Sequence, residues 1–309
     1  MKILIVGAGA MGCFFASMIK RANGEVTIYD INQDKVDIIN NSGITIHEKN
    51  GETVVVHVSA FANVEEVPEV DLIILLVKSY KTERAARDLA LVDNGLFKVL
   101  TLQNGLGNTD ELVKHFDEKR IYSGITYQGA YQIAYAEINH TGNGLTTIAP
   151  LADNMLQTAM DQARFLSNCN IPTGATTDLD SISWKKLIVN SAINPLSAIH
   201  GLKNGELPKN SEAVRDMVAL VVEGVTVAQK IGIPLSYGET WAEVLDTCRD
   251  TAENRSSMLT DIDNGRSTEI EAINGSIVRF GEANGIDTPT NVRMIRKVTA
   301  LHRNFIINV

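Results

Sequence analysis

Cysteine is scarce in this chain of 309 residues: Cys13, Cys169 and Cys248 stand far apart, with no C-x-x-C or other metal-ligand spacing. An odd number of isolated cysteines argues against a disulfide framework and fits reduced thiols in a cytoplasm. The six histidines (His47, His57, His115, His140, His200 and His302) form no H-x-x-x-H pattern and no cluster, so no metal site is expected. Long apolar runs are missing as well. None reaches the length that crosses a bilayer, and the N-terminus reads as a strand instead of a signal peptide. Positive charge is not in excess: the net charge is −9, which argues against nucleic acid or an anionic membrane as the main partner. There is no internal repeat and no low-complexity tract. What remains is a chain with 44% hydrophobic and 21% charged residues, long enough for two domains with a core each.

The strongest positive signal is Gly7-Ala8-Gly9-Ala10-Met11-Gly12, directly after Lys2-Ile3-Leu4-Ile5-Val6. Five strand-forming residues run into a G-x-G-x-x-G spacing, and a helical pattern (Phe14, Phe15, Met18, Ile19) follows. Gly7 permits the tight turn and Gly9 a close approach of the backbone to a pyrophosphate. Gly12 lets the helix pack on the strand, so that an anion meets the free N–H groups of the helix start. A dinucleotide site is the reading, against a purely structural glycine-rich turn.

Up to about residue 175 strands alternate with helices. Glu25–Asp30 reads as a second strand, Asp71–Val77 and Lys98–Leu102 as strands buried on both faces, and segments near 121–134 and 144–148 as further strands. This alternation predicts a parallel sheet flanked by helices, with ligands beyond the carboxyl ends of the strands, where Gly7, Asp30, Lys78 and Asn104 fall. From about Asp178 the texture is helical over 183–200, 211–231, 239–252, 257–283 and 289–304. The expected division is an α/β dinucleotide-binding domain over 1–177 and an all-α domain over 178–309.

Within the second half, Lys186, Asn190 and Asn194 are spaced four apart and share one helix face, with Trp184, Leu187, Ile188, Val189 and Ile193 around it. The pattern allows a solvated polar stripe or a polar floor for a ligand. Pro195 is expected to end or kink that helix. Lys185 points about 100° away from Lys186 and is expected to be solvated. Asn254, Ser256 and Ser257 suit helix capping, and the same geometry suits a carboxylate at a helix start. Glu269 and Glu271 read in isolation as exposed helix residues.

Taken together, these stretches resemble the ketopantoate reductase family. The likeness runs over most of the chain: Gly7–Gly12, Val77-Lys78, Gln103-Asn104-Gly105-Leu106-Gly107, Trp184-Lys185-Lys186-Leu187, Asn190, Asn194-Pro195-Leu196, Asn204-Gly205-Glu206-Leu207, and Ser256-Ser257-Met258-Leu259 with Thr268-Glu269-Ile270. It implies a Rossmann-type domain joined to an all-α domain like the C-terminal domain of 6-phosphogluconate dehydrogenase. It implies reduction of a 2-keto acid, 2-dehydropantoate, to (R)-pantoate in pantothenate and coenzyme A synthesis. Lys186 matches the proton donor and Glu269 an acid near the nicotinamide end, contacting cofactor ribose or substrate. Asn190, Asn194 and Asn204 match groups that hold substrate, and Asn254 and Ser257 the wall that receives its carboxylate. Lys78, Asn104 and Ala130 match positions lining the cofactor, Asn104 also near the reacting carbon; Ala8, Ala10 and Met11 complete the loop.

The chemistry suits these residue types. A developing alkoxide needs a proton and a positive charge, and a lysine supplies both if partial desolvation lowers its pKa. The choice of cofactor stays open between NADPH and NADH. The family favours NADPH, with an arginine after the second strand, whereas this chain has Tyr29-Asp30-Ile31-Asn32, and an aspartate there favours NADH. Lys35 is placed to compensate if it reaches. Two other functions are weighed: an NADH-dependent D-2-hydroxyacid dehydrogenase acting on branched or aromatic 2-keto acids, and a non-catalytic dinucleotide sensor. The expected partner is a small 2-keto acid, without metal, nucleic acid or membrane, in the cytoplasm; assembly is left open, a homodimer included.

Overall fold

The computed structural model describes residues 1–307, with side chains as far as Leu301. The last two residues of the expected second domain and the side chain of His302 lie outside the described residues. The chain divides into two compact units, one of Met1–Gln103 with Asn108–Leu179, the other of Asn104–Gly107 with the residues from Asp180 onward. The sequence puts Asn104–Gly107 in the first half; in the structure they group with the helical one.

The first unit runs β1 (Lys2–Val6), α1 (Ala10–Arg21), β2 (Glu25–Tyr29), α2 (Gln33–Ser42), β3 (Ile44–His47), β4 (Thr53–Val56) and β5 (Ser59–Phe61). It continues with β6 (Leu72–Leu75), α3 (Thr82–Ala90), β7 (Lys98–Thr101), α4 (Asn108–Leu112), β8 (Ile121–Thr126) and β9 (Gly129–Ala134). β10 (Glu137–Gly142), β11 (Thr146–Pro150), α5 (Leu156–Asn168) and β12 (Thr173–Ala175) complete it. Eight strands form one sheet in the order β12-β11-β8-β7-β6-β1-β2-β5, parallel except where β11 meets β8. Alternation decides its two faces: Ile3 and Ile5 pack into the core that holds α1 and α5, while Leu4 and Val6 face the core under α3. This is the expected Rossmann-type sheet. A second sheet, β4-β3-β10-β9, was not foreseen. It packs on α1 through Ile44, Ile46 and Ile138.

The second unit is all helical: α6 (Asp180–His200), α7 (Ser211–Lys230), α8 (Tyr237–Asp250), α9 (Ser257–Asp263), α10 (Ile270–Asn284) and α11 (Pro289–Ile307). α6 is its spine, with Leu187, Ile188, Ala192, Ile193 and Leu196 in a core shared with Met217, Leu220 and Val225 of α7. Gly224 lets α7 come close, since a Cβ there would lie 2.7 Å from Ile188 Cγ1.

Two expectations change here. The helix expected over 257–283 is two helices, because Asn264 caps the first and Gly265 turns the chain in the left-handed region at φ 62°. Arg266 N then donates to the carbonyl of Asp261, closing that end. Nor does Pro195 end α6, which continues to His200. The carbonyl that loses its donor there, that of Ser191, takes one from the Asn274 side chain at 3.2 Å. Among the described residues no helix is long and apolar enough to cross a membrane.

Candidate active site

The glycine-rich loop joins β1 to α1 at the carboxyl end of the sheet. Gly7 has φ 108°, which L-residues rarely adopt, and a Cβ on Gly12 would stand 1.8 Å from the Gly7 carbonyl oxygen. Both positions therefore demand glycine. A Cβ on Gly9 would meet nothing within 4 Å. Gly9 caps α1 with no side-chain hydrogen bond, and the first turn holds no acid. The N–H groups and positive dipole end of Ala10, Met11 and Gly12 are thus left suited to an anion.

Asp30, directly after β2, is tied to this loop. Its Oδ2 accepts the Ala8 N–H at 2.7 Å, its Oδ1 the Asn32 N–H at 3.0 Å, and Lys35 Nζ lies 3.3 Å from Oδ2. Lys35 sits in the first turn of α2 and does reach. Because β2, β1 and β6 are parallel neighbours, Gly7, Asp30 and Lys78 follow their carboxyl ends on the same side of the sheet. Ala130 lies elsewhere, on β9 of the second sheet. The glycine loop, the open helix start and the acid after β2 fit a dinucleotide.

Lys186, Asn104 and Glu269 meet in the helical unit. Lys186 Nζ donates to Asn104 Oδ1 at 3.4 Å, and Asn104 Nδ2 donates to Glu269 Oε2 at 3.3 Å. Burial pulls the Lys186 ammonium down from its ordinary value of 10.5 to about 8, and the Glu269 carboxylate acts the other way. Glu269 is buried, so its reading in isolation as an exposed helix residue is corrected. The turn before α10 brings it inward as the N-cap residue. Lys185 instead pairs with Glu243 at 3.2 Å and is half-buried.

Asn104 is carried by a loop that lies against α10. Leu106 N donates to the Ala272 carbonyl at 3.3 Å, and Gly105, at φ 82°, leaves no room for a side chain, because a Cβ would meet that carbonyl oxygen at 2.3 Å. Gln103 anchors the preceding strand end: its Nε2 donates to the Val77 carbonyl and to Thr82 Oγ1, both at 2.8 Å. Sequence reasoning quoted Gln103 only within a motif and gave it no role.

A second group forms where α9 meets α6. Ser256 caps α9 by accepting the Leu259 N–H at 3.1 Å, and its hydroxyl donates to the Asn194 carbonyl at 3.4 Å. Asn204 N donates to the Asn254 carbonyl at 3.0 Å. Asn204 Nδ2 donates to Thr251 Oγ1 at 2.9 Å, while its buried Oδ1 has no protein partner. Ser257 is the exposed first residue of α9. Asn190 is half-buried and Asn194 buried, so this face of α6 is no freely solvated stripe.

A dinucleotide-binding sheet domain, an all-α domain and a lysine poised near neutrality define an NAD(P)-dependent oxidoreductase. The chain belongs to the ketopantoate reductase family: the model for ketopantoate reductase PanE/ApbA matches residues 3–153, and that for its C-terminal part residues 178–302. A 2-dehydropantoate 2-reductase of Archaeoglobus fulgidus is 33% identical over 297 residues, 96% of each chain. One from Pyrococcus abyssi is 35% identical over 294 residues, covering 94% of this chain and 95% of that one. Among solved structures, a D-mandelate dehydrogenase with NADH and anilino(oxo)acetate has a TM-score of 0.95 at 29% identity over 100% of both chains. A PanE/ApbA family ketopantoate reductase from Ralstonia eutropha JMP134 has a TM-score of 0.89 at 28% identity, covering 98% of this chain and 99% of that one. The sensor reading is set aside, since the family is one of reductases.

Proposed function

We propose that the chain reduces 2-dehydropantoate to (R)-pantoate, with Lys186 as the proton donor. The observation that carries this is the Lys186–Asn104–Glu269 group, in which an ammonium with a pKa lowered to about 8 is held by a neutral amide. Such a lysine is charged at neutral pH yet gives up its proton readily, which is what a developing alkoxide requires. Asn104 orients the ammonium, and Glu269 holds Asn104 and favours the charged form of the lysine. Asn190 and Asn194 donate to substrate oxygens without bringing a competing charge, and Asn204, Asn254 and Ser257 receive the carboxylate. When bound, the nicotinamide supplies the hydride to the keto carbon. Gly7–Gly12 would hold its pyrophosphate, Asp30 the adenosine ribose, and Lys78 and Ala130 further parts of it.

NADH is the preferred donor in this reading. Asp30 offers a carboxylate where ribose hydroxyls donate, and that charge disfavours a 2′-phosphate. A second reading has specific support: the structural neighbour with NADH is a D-mandelate dehydrogenase, which favours an NADH-dependent D-2-hydroxyacid dehydrogenase taking aromatic or branched 2-keto acids. One assay separates the two. NADH and NADPH oxidation are followed side by side with 2-dehydropantoate, 2-ketoisovalerate and phenylpyruvate. A kcat/KM highest with 2-dehydropantoate upholds the first reading, and one equal or higher with either other acid replaces it by the second.

A further inference from the structure

Asn190 and Asn194 directly precede Ser191 and Pro195, the two ends of a missing rung in the hydrogen-bond ladder of α6. Pro195 has no N–H, so the Ser191 carbonyl, four residues earlier, loses its helical donor. Ser191 is fully buried, and water cannot replace that donor. Asn274 of α10 fills the gap with Nδ2 at 3.2 Å. The same amide donates to Asn291 Oδ1 at 2.9 Å, so both of its N–H groups are used. Asn291 donates in turn from Nδ2 to Glu223 Oε2 at 2.8 Å. Glu223, on α7, also accepts the backbone N–H groups of Thr290 and Asn291 at 2.7 and 2.9 Å, in the first turn of α11. Asn274 and Asn291 are themselves 0% exposed. A proline break deep in a core is thereby tied to three other helices through one side-chain amide.

We propose that Asn274 is a positioning residue for the keto acid. It stands in for the N–H that Pro195 lacks and fixes the course of α6 between Asn190 and Asn194. Asn291, itself held by Glu223, takes one N–H of the amide and leaves the other directed at the Ser191 carbonyl of α6. Beside the break the Ser256 hydroxyl donates to the Asn194 carbonyl, so the segment carrying both asparagines is held from two helices. Without Asn274 the Ser191 carbonyl is left unpaired, and the segment regains its donor only by shifting, which moves Asn190 and Asn194 away from the substrate. The inference rests on those two residues holding the keto acid, as proposed above.

The test is a double-mutant cycle between Asn274→Leu and Pro195→Ala, because alanine at 195 restores a backbone N–H to the Ser191 carbonyl. Alone, N274L is expected to raise KM for the keto acid about tenfold or more while the NADH dissociation constant, read by fluorescence, stays within about twofold. In the P195A background the same substitution is expected to raise KM less than about threefold. The lost donor to Asn291 is common to both backgrounds and cancels. An equal rise in both backgrounds, or none in the parent chain, overturns the proposal. If N274L does not fold, Asn274→Ser takes its place in the same two backgrounds. If the parent chain reduces no 2-keto acid, the functional reading fails instead; the cycle is then read in thermal unfolding, where an equal loss in both backgrounds overturns the pinning.

Discussion

The Lys35 ammonium lies 3.3 Å from Oδ2 of Asp30, on the same carboxylate oxygen that accepts the Ala8 N–H of the glycine-rich loop. Lys35 also stands 5.8 Å from the centroid of the Tyr135 ring. The acid proposed to disfavour a 2′-phosphate is therefore partly neutralised by a cation of the sign that would attract one. Removing one partner frees the other. Asp30→Ala is expected to move the kcat/KM ratio toward NADPH by about tenfold or more, roughly 1.4 kcal/mol. Lys35→Met is expected to move it toward NADH by a similar factor. Steady-state kinetics with both cofactors check this, and a ratio unmoved by either change would remove Asp30 and Lys35 from cofactor selection.

The pKa of Lys186 gives a pH dependence with a definite sign. In the proposed mechanism reduction uses the charged form as acid, so kcat/KM for the keto acid should hold at neutral pH and fall as pH rises through about 8. Oxidation of the hydroxy acid uses the free base and should rise over the same range. Profiles measured in both directions check this. A reduction limb that stays flat to pH 10 would leave Lys186 without a role as the acid.

The same lysine carries a stability cost. Its folded pKa of about 8 lies below the ordinary 10.5, so at neutral pH the folded chain holds a buried charge that the unfolded chain solvates. The unfolded state binds more protons between those two values, and stability therefore rises with pH across that window. Lys186→Met should lower reduction ~10²-fold or more. It should also raise the unfolding free energy at pH 7 by about 3 kcal/mol, the gain fading as pH rises from about 8 to 10.5 and vanishing above that, where the parent lysine is neutral in both states. Denaturant unfolding at two pH values checks the sign.

The glycine loop, the parallel sheet and the helical second half were legible because each is a local pattern: spacing for the loop, apolar runs for the strands, a 3.6-residue rhythm for the helices. Lys186, Asn190 and Asn194 could be placed on one face for the same reason. The packing of Asn104 beside Lys186 and Glu269 joins residues 82 and 165 positions apart, and no periodicity reports such a distance. The family resemblance named those residues, and the structure supplies the contacts. Glu269 looked exposed because a helical wheel cannot show that the Asn264–Gly265 turn swings the start of α10 inward. Asn274 escaped notice for a related reason: its partner is a backbone carbonyl, vacated by a proline on another helix.

Gly105 offers a test of how the Asn104 loop is held. Its φ of 82° is costly for any L-residue, and a Cβ would also meet the Ala272 carbonyl oxygen at 2.3 Å. Gly95 has nearly the same φ, 80°, but a Cβ there would meet nothing within 4 Å. Gly95→Ala should therefore show the conformational cost alone, about 1–2 kcal/mol, with activity unchanged. Gly105→Ala should cost about 1–3 kcal/mol more, as the loop is forced off α10 and backbone contacts are lost. Because Asn104 moves with the loop, the Lys186 ammonium loses its orienting amide and kcat should fall about tenfold or more. Matched unfolding and kinetic measurements on the two variants decide the matter: equal losses of stability with full activity in both would mean that the contact with Ala272 holds nothing the reaction needs.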